Sequence, residues 1–263
     1  WEETHPLQMK KDNSSAIVGH TEDTRKTALT GYFSAITEMD RNIGRIVDWL
    51  KNNDLSENTL IMFNSDNGMN MGHHGIWGKG NGTYPPNLFD TAVKVPTIIS
   101  RPGHVPEDLI CDKLLSQYDF YPTILNYLGI DNDSSENLPG RNFANLLRGK
   151  SLKNKDIVHV FDEYGPTRMI RSRHWKYIHR YGEGDNELYD LVRDPDESVN
   201  MIDAPHLKGI IRVLFEEMDT WYKKYTYPES DGTNQNVKGR GQLSDLGSQD
   251  ESFAQDVVYF NDL

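Results

Sequence analysis

Asp66 and Asn67 stand side by side in Ser65-Asp66-Asn67-Gly68, directly after the short apolar run Thr59-Leu60-Ile61-Met62-Phe63-Asn64. A carboxylate beside an amide carbonyl offers hard oxygen ligands, which suit Ca²⁺ or Mg²⁺ better than Zn²⁺. Calcium takes roughly six to eight oxygens, so further ligands would have to come from elsewhere in the fold, from substrate or from water. Asn-Gly is also a common turn dipeptide, and taken alone the pair reads more readily as a turn than as a metal site. A little further on, Gly72-His73-His74-Gly75-Ile76-Trp77-Gly78-Lys79-Gly80 adds imidazoles and an ammonium. A lysine between glycines can approach a bound anion closely, and glycine amides can donate to its oxygens. The plainer reading is a surface loop with solvated His and Lys.

These residues need a frame. From about Thr21 to Asn53, Leu29, Tyr32, Phe33, Ile36, Met39, Ile43, Ile46, Val47 and Leu50 recur at three- and four-residue steps, the pattern of a long amphipathic helix. The run 59–64 is β-prone and apolar throughout, as expected of a strand buried on both faces in a parallel sheet. That puts Asp66 and Asn67 at a strand's C-terminal end, where open α/β sheets bind ligands. Residues 68–92, rich in Gly, Asn and His, read as a long functional loop. Val95–Ser100 is a second strand, Tyr118–Leu128 a helix closed by Gly129, and Asn142–Leu147 a short helix. This alternation predicts an α/β layered domain over residues 1–150. Short strands follow at Ile157–Phe161, Met169–Arg171, Trp175–His179 and Glu187–Leu191, then an amphipathic helix from Leu207 to Tyr225. They predict a small α+β subdomain with an antiparallel sheet over 151–228, and an irregular tail over 229–263.

Composition narrows the function. Hydrophobic residues make up 36% of the 263 residues and aromatics 10%, enough to bury a core. The formal net charge of -12 disfavours non-specific nucleic-acid binding. An anionic substrate would need a local positive site against that field. No apolar run approaches the ~20 residues that span a bilayer. The single cysteine, Cys111, excludes an intrachain disulfide and a cysteine-rich zinc module, and reads as an ordinary buried or half-buried thiol.

The order of several motifs carries a family likeness. Phe63-Asn64-Ser65-Asp66-Asn67-Gly68, Gly75-Ile76-Trp77-Gly78-Lys79-Gly80, Tyr84, Val93-Lys94-Val95-Pro96 and Arg101-Pro102-Gly103 resemble the sulfatase family of the alkaline phosphatase superfamily. The likeness continues through Asp119-Phe120-Tyr121-Pro122-Thr123-Ile124-Leu125, Arg168-Met169-Ile170-Arg171, Trp175-Lys176-Tyr177-Ile178 and Glu187-Leu188-Tyr189-Asp190-Leu191, covering about residues 20–225. It implies the C-terminal half of an alkaline-phosphatase-like α/β domain, and a role in hydrolysing sulfate esters of small molecules or glycans. Asp66 and Asn67 would be ligands of a single divalent cation, usually calcium. Lys79 would contact the sulfate, and His73 or His74 could face the substrate. A phosphodiesterase or phosphonate monoester hydrolase shares these positions and is the nearest rival; a non-catalytic binding domain on the same scaffold is another. The resemblance also suggests a periplasmic or secreted setting, without fixing it.

The departures matter as much. The family's Cys- or Ser-x-Pro-x-Arg segment, whose first residue becomes formylglycine, is absent from these residues. Asn137-Leu138-Pro139-Gly140-Arg141 has Pro and Arg in register but Asn in place of the nucleophile. The formylglycine and the acidic metal ligands that accompany it are therefore expected upstream, and this stretch alone is expected to be inactive. It is further expected either to join a missing N-terminal half or to self-associate. A last cluster, Arg168, Arg171, Arg173, His174, Lys176, His179 and Arg180, reads first as a solvated face of the small sheet and second as a subsite for an anionic substrate.

Overall fold

A computed structural model describes residues 8–10, 22–131, 138–153, 155–162, 165–182, 184–234 and 257–258. The first elements are β1 (Gln8–Lys10), α1 (Glu22–Asn52), β2 (Ile61–Asn64), β3 (Asn70–Met71), β4 (Trp77–Gly78), β5 (Thr83–Tyr84), α2 (Asp90–Val93) and β6 (Thr97–Ser100). They continue with α3 (Phe120–Leu128), α4 (Ala144–Leu147), β7 (Ile157–Phe161), β8 (Thr167–Ser172), β9 (Trp175–Arg180), β10 (Glu187–Asp190), α5 (Lys208–Tyr225) and β11 (Val257–Val258). The mixture of helices and sheets is the expected α/β class. Most of the anticipated tail, and Asn137 of the Pro-Arg segment, lie outside the described residues.

The long helix forms where the periodicity puts it. Glu22 and Asp23 in its first turn and Lys51 in its last complement the helix dipole. Beyond its end, Asp54 has a left-handed φ of 58° and Leu55 donates back to the Leu50 carbonyl at 2.9 Å, which stops the helix. No α1 residue is buried among the described residues, and Phe33, Ile46 and Trp49 stay exposed. The strand expectation changes in sense. β2 pairs with β6 antiparallel, from Ile61 opposite Ser100 to Asn64 opposite Thr97, and is half-buried rather than covered on both faces. The reason is the connection: the chain between β2 and β6 is a loop system that turns back on itself, not a crossover helix that would return the chain parallel.

The second half holds most of the core. β10, β9, β8 and β7 form an antiparallel sheet in that order. Side chains alternate across it, as strand geometry requires. Ile170, Tyr177 and Leu188 face α5, packing with Leu207, Leu214, Met218 and Tyr222. Met169, Ile178 and Tyr189 join Leu191 on a core completed by Ile76, Leu88 and Phe89. The latter three belong to the long loop, so the sheet is a layer between a helix and the segment that carries Lys79. The expected boundary near residue 150 is crossed by this shared core.

Charge seals the same interface. Lys176 has no exposed surface and Glu197 is 2% exposed. The Lys176 ammonium donates to the Leu88 carbonyl at 3.0 Å, contacts Asp90 Oδ1 at 2.6 Å, and pairs with the Glu197 carboxylate. Arg171 grips Asp90 through both ends of its guanidinium, at 3.0 and 2.8 Å. The Asp90 backbone N–H donates to Glu197 Oε2 at 2.6 Å. Burial alone would push the Asp90 carboxyl up, but Lys176 and Arg171 outweigh it and hold it well below the ordinary carboxylate range. Burial instead dominates at Glu197 and raises its pKa, only partly offset by Lys176. Arg180 likewise pairs with Glu187, and Arg168 with Asp231 at 2.6 Å beneath the Tyr222 ring.

The cluster read as a solvated face is thus corrected for Arg168, Lys176 and Arg180, which are buried; of the seven only Arg173 and His174 are exposed, and Arg171 and His179 are half-buried. Strand alternation turned these charges inward toward acids that are distant in sequence. Cys111 is exposed, not buried, because Leu109 to Asp112 run over the surface.

Removing one member of such a quartet leaves uncompensated buried charge. Lys176→Met should cost about 3–5 kcal/mol of folding stability, the range for breaking a buried ion pair. Denaturant titration checks it, and a loss typical of a surface substitution would refute it. His159 on β7 is 8% exposed, stacks on Trp221 at 4.5 Å, and has an Nε2 without a partner among the described residues. Burial lowers its pKa from 6.5 to about 4. The unfolded chain therefore binds the proton more readily, and this group's contribution should be lost as pH falls from 6.5 toward 4. Thermal midpoints across that window should decline less steeply in His159→Phe than in the parent.

Candidate functional site

Asp66 and Asn67 leave β2 in a tightly held turn. The Asn67 N–H donates to Asp66 Oδ1 at 2.8 Å, and the Ser65 hydroxyl donates to the Asn67 carbonyl at 2.9 Å. From outside the turn, Gln117 Nε2 donates to the carbonyls of Ser65 and Asp66 at 2.7 and 3.0 Å. The Asn67 amide nitrogen donates to the Gly68 carbonyl at 2.7 Å. Asp66 Oδ2 and Asn67 Oδ1 accept no hydrogen bond from the described residues. Two hard oxygens are left over, a donor set that fits part of the shell of a divalent cation such as Ca²⁺ or Mg²⁺. Among the described residues, no group of three or more His, Cys, Asp or Glu could hold a metal.

The next residue is a glycine for a steric reason. The Gly68 N–H donates to the Ala92 carbonyl at 2.8 Å, and a Cβ at Gly68 would lie 2.2 Å from the Thr91 carbonyl oxygen. The turn is thereby pressed against α2. Beyond it β3 and β4 form a short hairpin, with Asn70 opposite Gly78 and Met71 opposite Trp77. The hairpin returns the chain, so Lys79 leaves it on the side where Asn67 enters.

His73 and His74 sit at the hairpin tip. His73 is exposed, and its Nδ1 accepts the Met71 N–H at 3.2 Å. Its neutral form therefore carries the proton on Nε2. His74 is half-buried with a left-handed φ of 54°, and its ring stacks on Phe89 with centroids 3.7 Å apart. The two histidines are thus distinguished: one ring is applied to the core, the other is presented to solvent.

Lys79 is exposed and forms no ion pair with the described residues. Its backbone is not free. The Lys79 carbonyl accepts from Gly82 N–H at 3.0 Å and from Asn87 Nδ2 at 3.3 Å. The arrangement offers open oxygens for a cation and an unneutralised ammonium for an anion, on one connected loop system. Asn70, Asn87, Thr91 and Gln117 were not singled out in the sequence. The Gly-, Asn- and His-rich loop of residues 68–92 was the only signal for the first three, and it names no partners. Arg141, from the Pro-Arg segment, has a structural use: it pairs with the buried Asp119 at 3.1 Å and donates to the Leu114 and Lys155 carbonyls at 3.0 and 2.7 Å.

Known proteins share this arrangement of elements. The family model described as sulfatase matches residues 2–130, and that described as N-sulphoglucosamine sulphohydrolase, C-terminal, matches residues 72–224, more than half of the chain. An arylsulfatase of Clostridium perfringens is 27% identical over 210 residues, which cover 76% of this chain and 42% of that protein. The crystal structure of phosphonate monoester hydrolase of Agrobacterium radiobacter, 26% identical, is similar with a TM-score of 0.67 over 77% of this chain and 42% of that one. A structure of a protein in complex with its substrate, D-glucosamine-2-N,6-O-disulfate, is 23% identical and alike in fold, with a TM-score of 0.68 over 79% and 43% of the respective chains. The chain spans less than half the length of each of these proteins. The matched stretches join the loop bearing Asp66, Asn67 and Lys79 to the small sheet that anchors it, and the chain belongs to the sulfatase family of the alkaline phosphatase superfamily.

Proposed function

We propose that these residues form the cation- and lysine-bearing side of a site that hydrolyses sulfate esters, on sulfated sugars or related small molecules. The observation that carries this reading is the pair of uncommitted oxygens on Asp66 and Asn67, held on the same loop system as the unneutralised ammonium of Lys79. Sulfatases generally use a metal ion and a formylglycine. Asp66 and Asn67 would hold the metal, calcium or magnesium by their oxygen chemistry, and its chemistry is to polarise a sulfate oxygen and neutralise charge. Lys79 binds the sulfate and stabilises charge on the leaving-group side. His73, exposed and with the proton of its neutral form on Nε2, is better disposed than His74, whose ring is stacked on Phe89, to donate a proton there. The formylglycine and the remaining acidic ligands come from outside these residues, and this stretch alone is inactive. In this reading residues 1–150 are the C-terminal half of the catalytic α/β domain and 151–228 a small α+β unit that supports it.

The sugar portion rests on the match to the N-sulphoglucosamine sulphohydrolase model. The likeness to a phosphonate monoester hydrolase favours a second reading, hydrolysis of phosphonate or phosphate esters with the same residues. Turnover of an aryl sulfate and an aryl phosphonate by the complete enzyme separates them: a preference for the phosphonate would displace the sulfatase reading.

In the complete enzyme Asp66→Ala should abolish turnover and weaken Ca²⁺ binding, because it removes a charged ligand. Titration calorimetry with Ca²⁺ reads the second effect, and wild-type affinity would remove Asp66 from the metal shell. Lys79→Ala should lower kcat by about 10²–10³-fold, the usual loss for one preorganised charge-stabilising group. Its thermal midpoint should match the parent's, since an exposed side chain without an ion pair contributes little to folding. A loss of activity tracking a loss of folded protein would reduce Lys79 to a surface residue.

A further inference from the structure

Asn87 is 1% exposed and lies eight positions beyond Lys79 in sequence, yet its side-chain amide donates into the Lys79 segment. Asn87 Nδ2 donates to the carbonyl of Gly80 at 3.0 Å, shares its second proton between the Lys79 carbonyl at 3.3 Å and Thr83 Oγ1 at 3.2 Å, and so ties the Lys79 segment to Thr83. Its backbone N–H donates to the same Gly80 carbonyl at 2.9 Å. The approach is so close that a Cβ at Gly80 would lie 2.8 Å from the Asn87 carbonyl oxygen. On its other side, Asn87 Oδ1 accepts from Asn70 Nδ2 at 3.2 Å, and Asn70 Oδ1 accepts from Thr91 Oγ1 at 2.5 Å. Thr91 precedes Ala92, whose carbonyl receives the Gly68 N–H. A relay of buried amides therefore runs from the residue after Asn67 to the backbone of Lys79.

We infer that Asn87 is a positioning residue for Lys79, fixing the distance of its ammonium from the Asp66–Asn67 turn through this relay. The inference rests on the proposed role of Lys79 toward a sulfate. The chemistry requires an amide. Aspartate has the same shape and keeps the acceptor for Asn70, but it has no N–H for Lys79 and Gly80 and sets a carboxylate against two carbonyl oxygens. Such a change releases the loop carrying Lys79 and leaves the oxygens of Asp66 and Asn67, which Asn87 does not touch, as they were.

The test is a double-substitution cycle in the complete enzyme with an aryl sulfate. Asn87→Asp should lower kcat by about 10²-fold, as a misplacement of roughly 1 Å does, while Ca²⁺ affinity by calorimetry stays at the parent value. In a Lys79→Ala background the same substitution should cause no further loss, because its effect passes through Lys79. Multiplicative losses in the two backgrounds, or a parallel fall in Ca²⁺ affinity, would make Asn87 a general structural residue and overturn the inference. A Lys79→Ala enzyme as active as the parent would instead sink the reading of Lys79 itself, and this inference with it. Should Asn87→Asp fail to fold by circular dichroism, Thr91→Val cuts the relay at its half-buried end and is read through the same cycle.

Discussion

An ammonium with no exposed surface, held between two carboxylates and a backbone carbonyl, is the constraint on which the rest of the molecule depends. Lys176 extends from β9 and reaches Leu88, Asp90 and Glu197, which come from two distant parts of the chain. Taking a charge of this kind out of water is expensive, and only good geometry with every donor used compensates it. The quartet with Arg171 carries two positive and two negative groups, so it can be buried without net charge. Its main yield is registry rather than affinity: a sheet and a loop that share only apolar contacts could slide, whereas these ion pairs fit in one arrangement. That arrangement sets where α2 begins, and α2 is the surface against which the Asp66–Asn67 turn is pressed.

The sheet can serve in this way because both of its faces are occupied. One face is covered by α5, the other by Ile76, Leu88 and Phe89 of the loop. A loop of this length would normally be among the more mobile parts of a domain. Here its ends and middle are tied by backbone pairing, by buried amides and by the Lys176 ammonium. The hairpin tip with His73, the Lys79 side chain and Asn81 are exposed. The tied portion fixes the backbone and the exposed portion is open to solvent, a division that suits the anion site proposed for Lys79.

Charge distribution follows the same logic. The chain carries a formal net charge of -12. Several of its basic groups are consumed internally, Arg168 by Asp231, Arg180 by Glu187, Arg171 and Lys176 by Asp90 and Glu197. Lys79 stands apart from them because no acid among the described residues neutralises it. An attractive local field at that point is set by which lysines lack partners, not by how many the chain contains.

The residues proposed to bear chemistry stand out in the sequence. Asp66, Asn67 and Lys79 sit in motifs whose order resembles one family, and that family is borne out. The long helix, the Tyr118–Leu128 helix with its Gly129 end, the four antiparallel strands and the last helix follow from periodicity and caps, which depend on neighbours a few positions apart. What sequence could not supply is long-range pairing. The apolar run at β2 suggests a buried parallel strand, but strand sense depends on how the intervening chain turns. The basic residues of β8 and β9 suggest a wet face, since a Lys between aromatics looks the same whether or not an acid waits beneath it. Asp90, Glu197, Asn70 and Asn87 each look ordinary in sequence. They acquire their roles only when folding brings groups that are not neighbours in sequence within hydrogen-bond distance, because a buried charge or amide is tolerable only once its partner has arrived.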